Sequence, residues 1–130
     1  MPKKNDTYTV KLKESHLKNW GTHRNKNTRE KIDNESYIPI PKDQAKEYNI
    51  LNSNQSKENT IYTAKFKNTN IEVKVLASGS NKAGDIYAKQ FHGKGNLKAL
   101  TPGYEAIGAK VGDEITITFI DETTFEVEKV

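Results

Sequence analysis

Apolar residues fall at every second position in several short runs of this chain, the period of half-buried β-strands. Tyr8, Val10 and Leu12 alternate with polar residues across 7–13. Tyr62, Ala64 and Phe66 share one face of the next clear run, against Ile61, Thr63 and Lys65. After Asn68-Thr69-Asn70 the pattern returns as Ile71, Val73 and Val75. Asparagine tolerates positive φ, so these two runs predict a hairpin. A turn at Val111-Gly112-Asp113 leads into a strand carrying Ile115, Ile117 and Phe119, and Phe125 and Val127 alternate in a last one. Residues 36–41, Ser-Tyr-Ile-Pro-Ile-Pro, form a strand confined to an edge or a bulge, because Pro39 and Pro41 carry no N–H. A further short strand is expected within 86–91.

Two short helices interrupt the strands. Pro41 can open one and Asp43 suits its positive end, with Ala45 and Tyr48 three apart on a common face. Thr101 and Pro102 open the other, which closes near Gly108. The expected fold is therefore mostly β, with about seven strands and two short helices. Strands and helices do not alternate regularly, which argues against a parallel α/β sheet. A small open β-barrel, mainly antiparallel, closes so many strands while leaving few edges. With 130 residues, a single domain over 1–130 is expected, large enough for its own core. The chain lacks cysteine and any apolar run of membrane-spanning length, so a cytoplasmic setting with no membrane partner is expected.

Charge adds an asymmetry. The net +4 and isoelectric point near 9.1 are unremarkable. Their distribution is not: residues 1–31 carry +6, 32–77 carry zero, 78–98 carry +3 and 99–130 carry −5. The two positive stretches are also long insertions between strands. A surface basic on one side and acidic on another steers a polyanion to one face.

The first insertion offers Thr22, His23, Arg24, Asn25, Lys26, Asn27, Arg29 and Lys31 beside the chain's single tryptophan, Trp20. The second offers Ser78, Ser80, Asn81, Lys82, Asp85, Tyr87, Lys89, Gln90, His92 and Lys94. These side chains suit base edges: Arg and Lys for guanine, Asn and Gln for adenine, a carboxylate for the cytosine amino group. Lys, Ser and Thr can also hold phosphates.

Enzyme signals are weaker. Glu72-Val73-Lys74 matches the end of a metal-dependent nuclease site, with Asp43 as the only convenient upstream acid; alternation puts Glu72 and Lys74 on the solvent face of a strand. His92-Gly93-Lys94 opens like a phospholipase-D-type motif, but Ala99 stands where that chemistry needs an aspartate. His16, His23 and His92 lack metal-ligand spacing, and no Gly-rich loop precedes a Lys-Ser/Thr pair. No cofactor and no metal are expected.

The stretch Asn-Trp-Gly-Thr-His-Arg through Ser-Tyr-Ile-Pro-Ile-Pro, residues 19–41, resembles the start of the DNA-recognition domains of some restriction endonucleases. These lie at the C-terminus of phospholipase-D-type restriction enzymes. Residues 75–87 and 104–127 look like that family's second-arm entry and closing helix–turn–hairpin. The resemblance implies a B-three-like DNA-binding pseudobarrel whose two arms clamp the major groove. Residues 20–31 would be the N-arm and 78–94 the C-arm. Arg24 and Arg29 would lead the contacts in the first, and Asn81, Lys82, Asp85 and Lys89 in the second. Trp20 and Gly21 would set the base of the N-arm. The implied function is sequence-specific double-stranded DNA binding as the target-recognition module of a restriction-endonuclease system, non-catalytic alone and paired with a nuclease domain or subunit. The alternatives are a minimal metal-dependent nuclease using Glu72 and Lys74, or a protein-interaction barrel.

Overall fold

The computed structural model describes residues 2–13, 16, 36–53, 60–79 and 86–130. Their strands are β1 (Thr7–Lys11), β2 (Ile38–Pro39), β3 (Ile61–Phe66), β4 (Glu72–Ser78), β5 (Gln90–Gly93), β6 (Glu114–Phe119) and β7 (Thr124–Lys129). The helices are α1 (Lys42–Glu47) and α2 (Thr101–Ala106). One seven-stranded sheet results, in the order β1-β6-β7-β3-β4-β5-β2. Every pairing is antiparallel except β3 with β7.

The alternation read from the sequence decides which face is buried. Tyr62, Ala64 and Phe66 of β3 meet Val75 and Ala77 of β4, Phe91 of β5, and Ile115, Ile117, Phe119, Phe125 and Val127 of β6 and β7 in one core. Four aromatic rings mesh at its centre. Phe91 lies 4.8 Å from Phe125 and 5.2 Å from Tyr62, centroid to centroid, and Phe119 lies 5.4 Å from Phe125. Edge-to-face and tilted contacts of this kind set positive ring edges against negative faces.

The β3–β4 hairpin turns as expected at Asn68, whose φ is 65°. Thr69 completes the turn, its hydroxyl donating to the Phe66 carbonyl at 2.7 Å. The expectation of a strand over 86–91 is displaced: β5 begins only at Gln90, where its ladder with Ser78 starts. Residues upstream pair elsewhere. Tyr87 bridges Leu51, Ala88 N–H donates to the Ile50 carbonyl, and Asn52 N–H donates to the Ile86 carbonyl.

Helix α2 packs against the core through a close approach. A Cβ on Gly103 would sit 2.2 Å from the Phe66 ring, so only glycine fits there. The neighbouring Tyr104 ring lies edge-on to Phe66 at 5.8 Å, and its hydroxyl donates to the Tyr37 carbonyl at 2.6 Å. Burial pushes the Tyr104 phenol well up, which keeps it a neutral donor. Thr101 does not cap α2: Leu100 holds that position, and the Thr101 hydroxyl instead bonds the buried Ser36 hydroxyl.

The two end strands, β1 and β2, share no ladder. They are joined by side chains. The Tyr8 hydroxyl donates to the Pro39 carbonyl at 3.0 Å, and the Tyr48 hydroxyl at the end of α1 donates to the Thr7 carbonyl at 2.6 Å. The sheet is thus curled into a nearly closed barrel, with Pro39 on its last strand as its missing N–H requires.

Candidate nucleic-acid interface

Both basic segments are anchored by a backbone hydrogen bond across their roots. The first leaves the barrel past Lys13 and His16 and returns at Ser36; there the Tyr37 N–H donates to the His16 carbonyl at 2.9 Å. The second leaves at Ser78 and returns at Lys89, whose N–H donates to the Ser78 carbonyl at 2.9 Å. Gly79, φ 73°, turns the chain out of β4, and a Cβ there would come within 3.3 Å of the Lys89 Cβ.

The two roots meet across β2. The Ile40 N–H donates to the Lys89 carbonyl at 2.9 Å. Between the roots opens a cleft of about 350 Å³. Val10, Pro39, Ile40 and Pro41 give it an apolar lining. Lys11, Lys13 and His16 bound it from the first root, Lys89 and Gln90 from the second, and Lys42 from the start of α1. Among the described residues no carboxylate lines it.

His16 sits partly buried at the edge of this cleft. Its Nδ1 accepts the Lys13 N–H at 3.0 Å. Burial, followed by the charges of Lys13 and Lys89, lowers its pKa from 6.5 to about 4, so the ring is neutral at neutral pH.

The expected site residues divide into three groups. Trp20, Thr22, His23, Arg24, Asn25, Lys26, Asn27, Arg29, Lys31, Ser80, Asn81, Lys82 and Asp85 lie outside the described residues. Lys89 and Gln90 line the cleft. The rest stand apart from it. Ser78 is buried, its hydroxyl 2.7 Å from Nδ1 of His92. Tyr87 presents its carbonyl to the Asn52 side chain. Lys94 follows the far end of β5, its N–H donating to the Lys74 carbonyl at 2.9 Å.

Lys11, Lys13, His16 and Lys42 are part of the cleft without having been singled out as site residues. Two of them carried a signal: Lys11 and Lys13 flank the buried Leu12, so alternation aims both away from the core. Asn52 had none, because its burial follows from pairing with the returning limb of the second segment.

Glu72 and Lys74 lie on the solvent face of β4 and are engaged with β3. Glu72 pairs with Lys65 at 3.5 Å, and Lys74 Nζ donates to the Thr63 hydroxyl at 2.7 Å. Among the described residues no group of three His, Asp or Glu side chains is placed to hold a metal ion.

No protein-family model and no curated protein matches this chain. Its fold is similar to that of the N-terminal domain of Helicobacter pylori LlaJI.R1, with a TM-score of 0.51 over 96% of this chain and 87% of that one. Identity is 14%, so the likeness is one of fold. Among the described residues no helix is long and apolar enough to cross a membrane.

Proposed function

We propose that this chain is a double-stranded DNA-binding module of a restriction system, which recognises its target through the two basic segments and does not cut DNA by itself. The observation that carries this reading is the meeting of both segment roots on one cationic cleft. Two recognition loops act on one duplex only if their bases are held at fixed spacing, and the Ile40–Lys89 bond and the two root bonds supply that rigidity. The fold likeness to the N-terminal domain of Helicobacter pylori LlaJI.R1 is compatible with this reading.

In this reading the barrel is of the B-three-like type. The arms 20–31 and 78–94 reach the major groove from either side of the cleft, with Arg24, Arg29, Asn81, Lys82 and Asp85 at base edges and Lys89 at the root of the second. Strand scission belongs to a nuclease domain or subunit acting with it in the cytoplasm.

Mobility shifts on a random-sequence duplex pool test the proposal. Binding should weaken steeply with salt, because lysines and arginines displace condensed counterions. Arg24→Ala or Arg29→Ala should cost about 1–3 kcal/mol on the selected sequence if that residue reads a base. Undetectable or salt-insensitive binding overturns the reading. Magnesium-dependent cleavage abolished by Glu72→Ala would replace it with a nuclease.

A further inference from the structure

We propose that the cleft between the segment roots seats the sugar–phosphate backbone of one DNA strand, held by Lys11, Lys13, Lys42 and Lys89 independently of sequence. This rests on the DNA-binding reading and assigns a separate task within it: the segments specify, the cleft anchors.

Three observations lead to it. The first is the contrast between these lysines and others on the barrel. Lys65, Lys67 and Lys129 are each neutralised by a carboxylate, Glu72, Glu128 and Asp113, at 2.9 to 3.6 Å. Among the described residues none of the four cleft lysines has a carboxylate within ion-pair distance. Four exposed ammonium groups therefore share a cleft with no counter-charge among the described residues. Such an arrangement repels itself and is relieved by a polyanion.

The second is the composition of the lining. Val10, Pro39, Ile40 and Pro41 offer apolar surface beneath the ammonium groups. A free inorganic anion makes no use of that surface. A nucleic-acid strand does, because each phosphate is flanked by deoxyribose with apolar C–H faces. Gln90 adds an amide donor to the same wall.

The third is position. The cleft is bounded by His16 on one root and Lys89 on the other, so a duplex gripped by both segments must lay one strand across its mouth. Backbone contacts of this kind fix register and orientation without carrying sequence information.

The test uses the full chain and two duplexes of equal length, one selected from the random pool and one unrelated. A variant carrying Lys11→Gln, Lys13→Gln and Lys42→Gln is compared with a charge-matched control carrying Lys65→Gln, Lys67→Gln and Lys110→Gln. The cleft variant should lose affinity for both duplexes by a common factor, roughly a hundredfold at 0.1 M salt, with the ratio between them preserved. Its slope of log affinity against log salt should shrink by about 2–3, near 0.9 per phosphate released. The control should keep both affinity and slope. If the cleft variant binds like the unaltered chain while Arg24→Ala weakens binding, the backbone lies elsewhere and the seat is refuted. A change in the ratio between duplexes would also refute it, since the cleft would then read sequence. Failure of the unaltered chain to bind either duplex removes the DNA reading and the seat together.

Discussion

The Tyr8 hydroxyl donates to the Pro39 carbonyl at 3.0 Å, joining the two end strands of the sheet where no ladder does. Tyr8 is buried, and burial raises its phenol well above the usual range, so it remains a neutral donor. Tyr8→Phe removes the bond and leaves the proline carbonyl without this donor. Urea denaturation should show a loss of about 1 kcal/mol. Tyr48→Phe removes a shorter but exposed bond to the Thr7 carbonyl, where water can substitute, and should cost less. Equal stability of Tyr8→Phe and the parent would mean that the seam is held by packing alone.

Gly103 gives a steric prediction. Its missing Cβ leaves room for the Phe66 ring, which a methyl group would meet at 2.2 Å. Gly103→Ala must push ring or helix aside and should destabilise by about 1–3 kcal/mol, as overpacking does. Gly95, in open space at φ 74°, is the comparison. Gly95→Ala should cost only about 1 kcal/mol, through backbone conformation. Thermal unfolding of the two variants should rank them in that order.

The aromatic centre gives a larger effect. Phe125 is fully buried and touches both Phe91 and Phe119. Phe125→Ala should cost about 3–5 kcal/mol, from lost transfer energy plus the cavity. Phe125→Leu should recover much of that loss in the same denaturation assay.

His16 predicts a pH dependence. Its folded pKa, about 4, lies below the unfolded value of 6.5, so between these values the unfolded chain binds more protons. The stability contributed by the neutral ring is present above pH 6.5 and is lost as pH falls toward 4. Denaturation midpoints should therefore drop between pH 7 and pH 5. His16→Asn keeps an acceptor for the Lys13 N–H but cannot titrate, and should flatten that part of the profile. An unchanged profile would show that the ring is solvated.

Much of the barrel was legible because its strands are half-buried. Where one face meets the core and the other water, alternation is forced, and β1, β3, β4, β6 and β7 carry it plainly. Three features were not legible, for different reasons. β2 is two residues long, too short for periodicity, and its edge position came only from the chemistry of Pro39. β5 starts later than its apolar pattern indicated, because Tyr87 and Ala88 pair with Leu51 and Ile50 across 35 or more residues of chain. Thr101 has the side chain of a cap but finds a buried partner in Ser36, a preference set by tertiary contact. The same division holds for the site. The polar insertions stand out in the sequence as candidate binding segments, whereas Lys11, Lys13 and Lys42 look like ordinary surface until the barrel closes and gathers them beside Lys89.

The pairing of β1 with β6 joins Thr7 to Thr118, a separation of 111 residues, and β3 waits for β7 to lie parallel beside it. A ribosome releases the first strand long before its neighbour exists. Closing such distant loops sets a high entropic barrier, so refolding should be slow, in the millisecond-to-second range of non-local β topologies. Until the last hairpin arrives, β1 and one side of β3 are unsatisfied edges, open to pairing with other chains. Recombinant yield should accordingly respond to slower translation and to holdase chaperones more than to added thermodynamic stability.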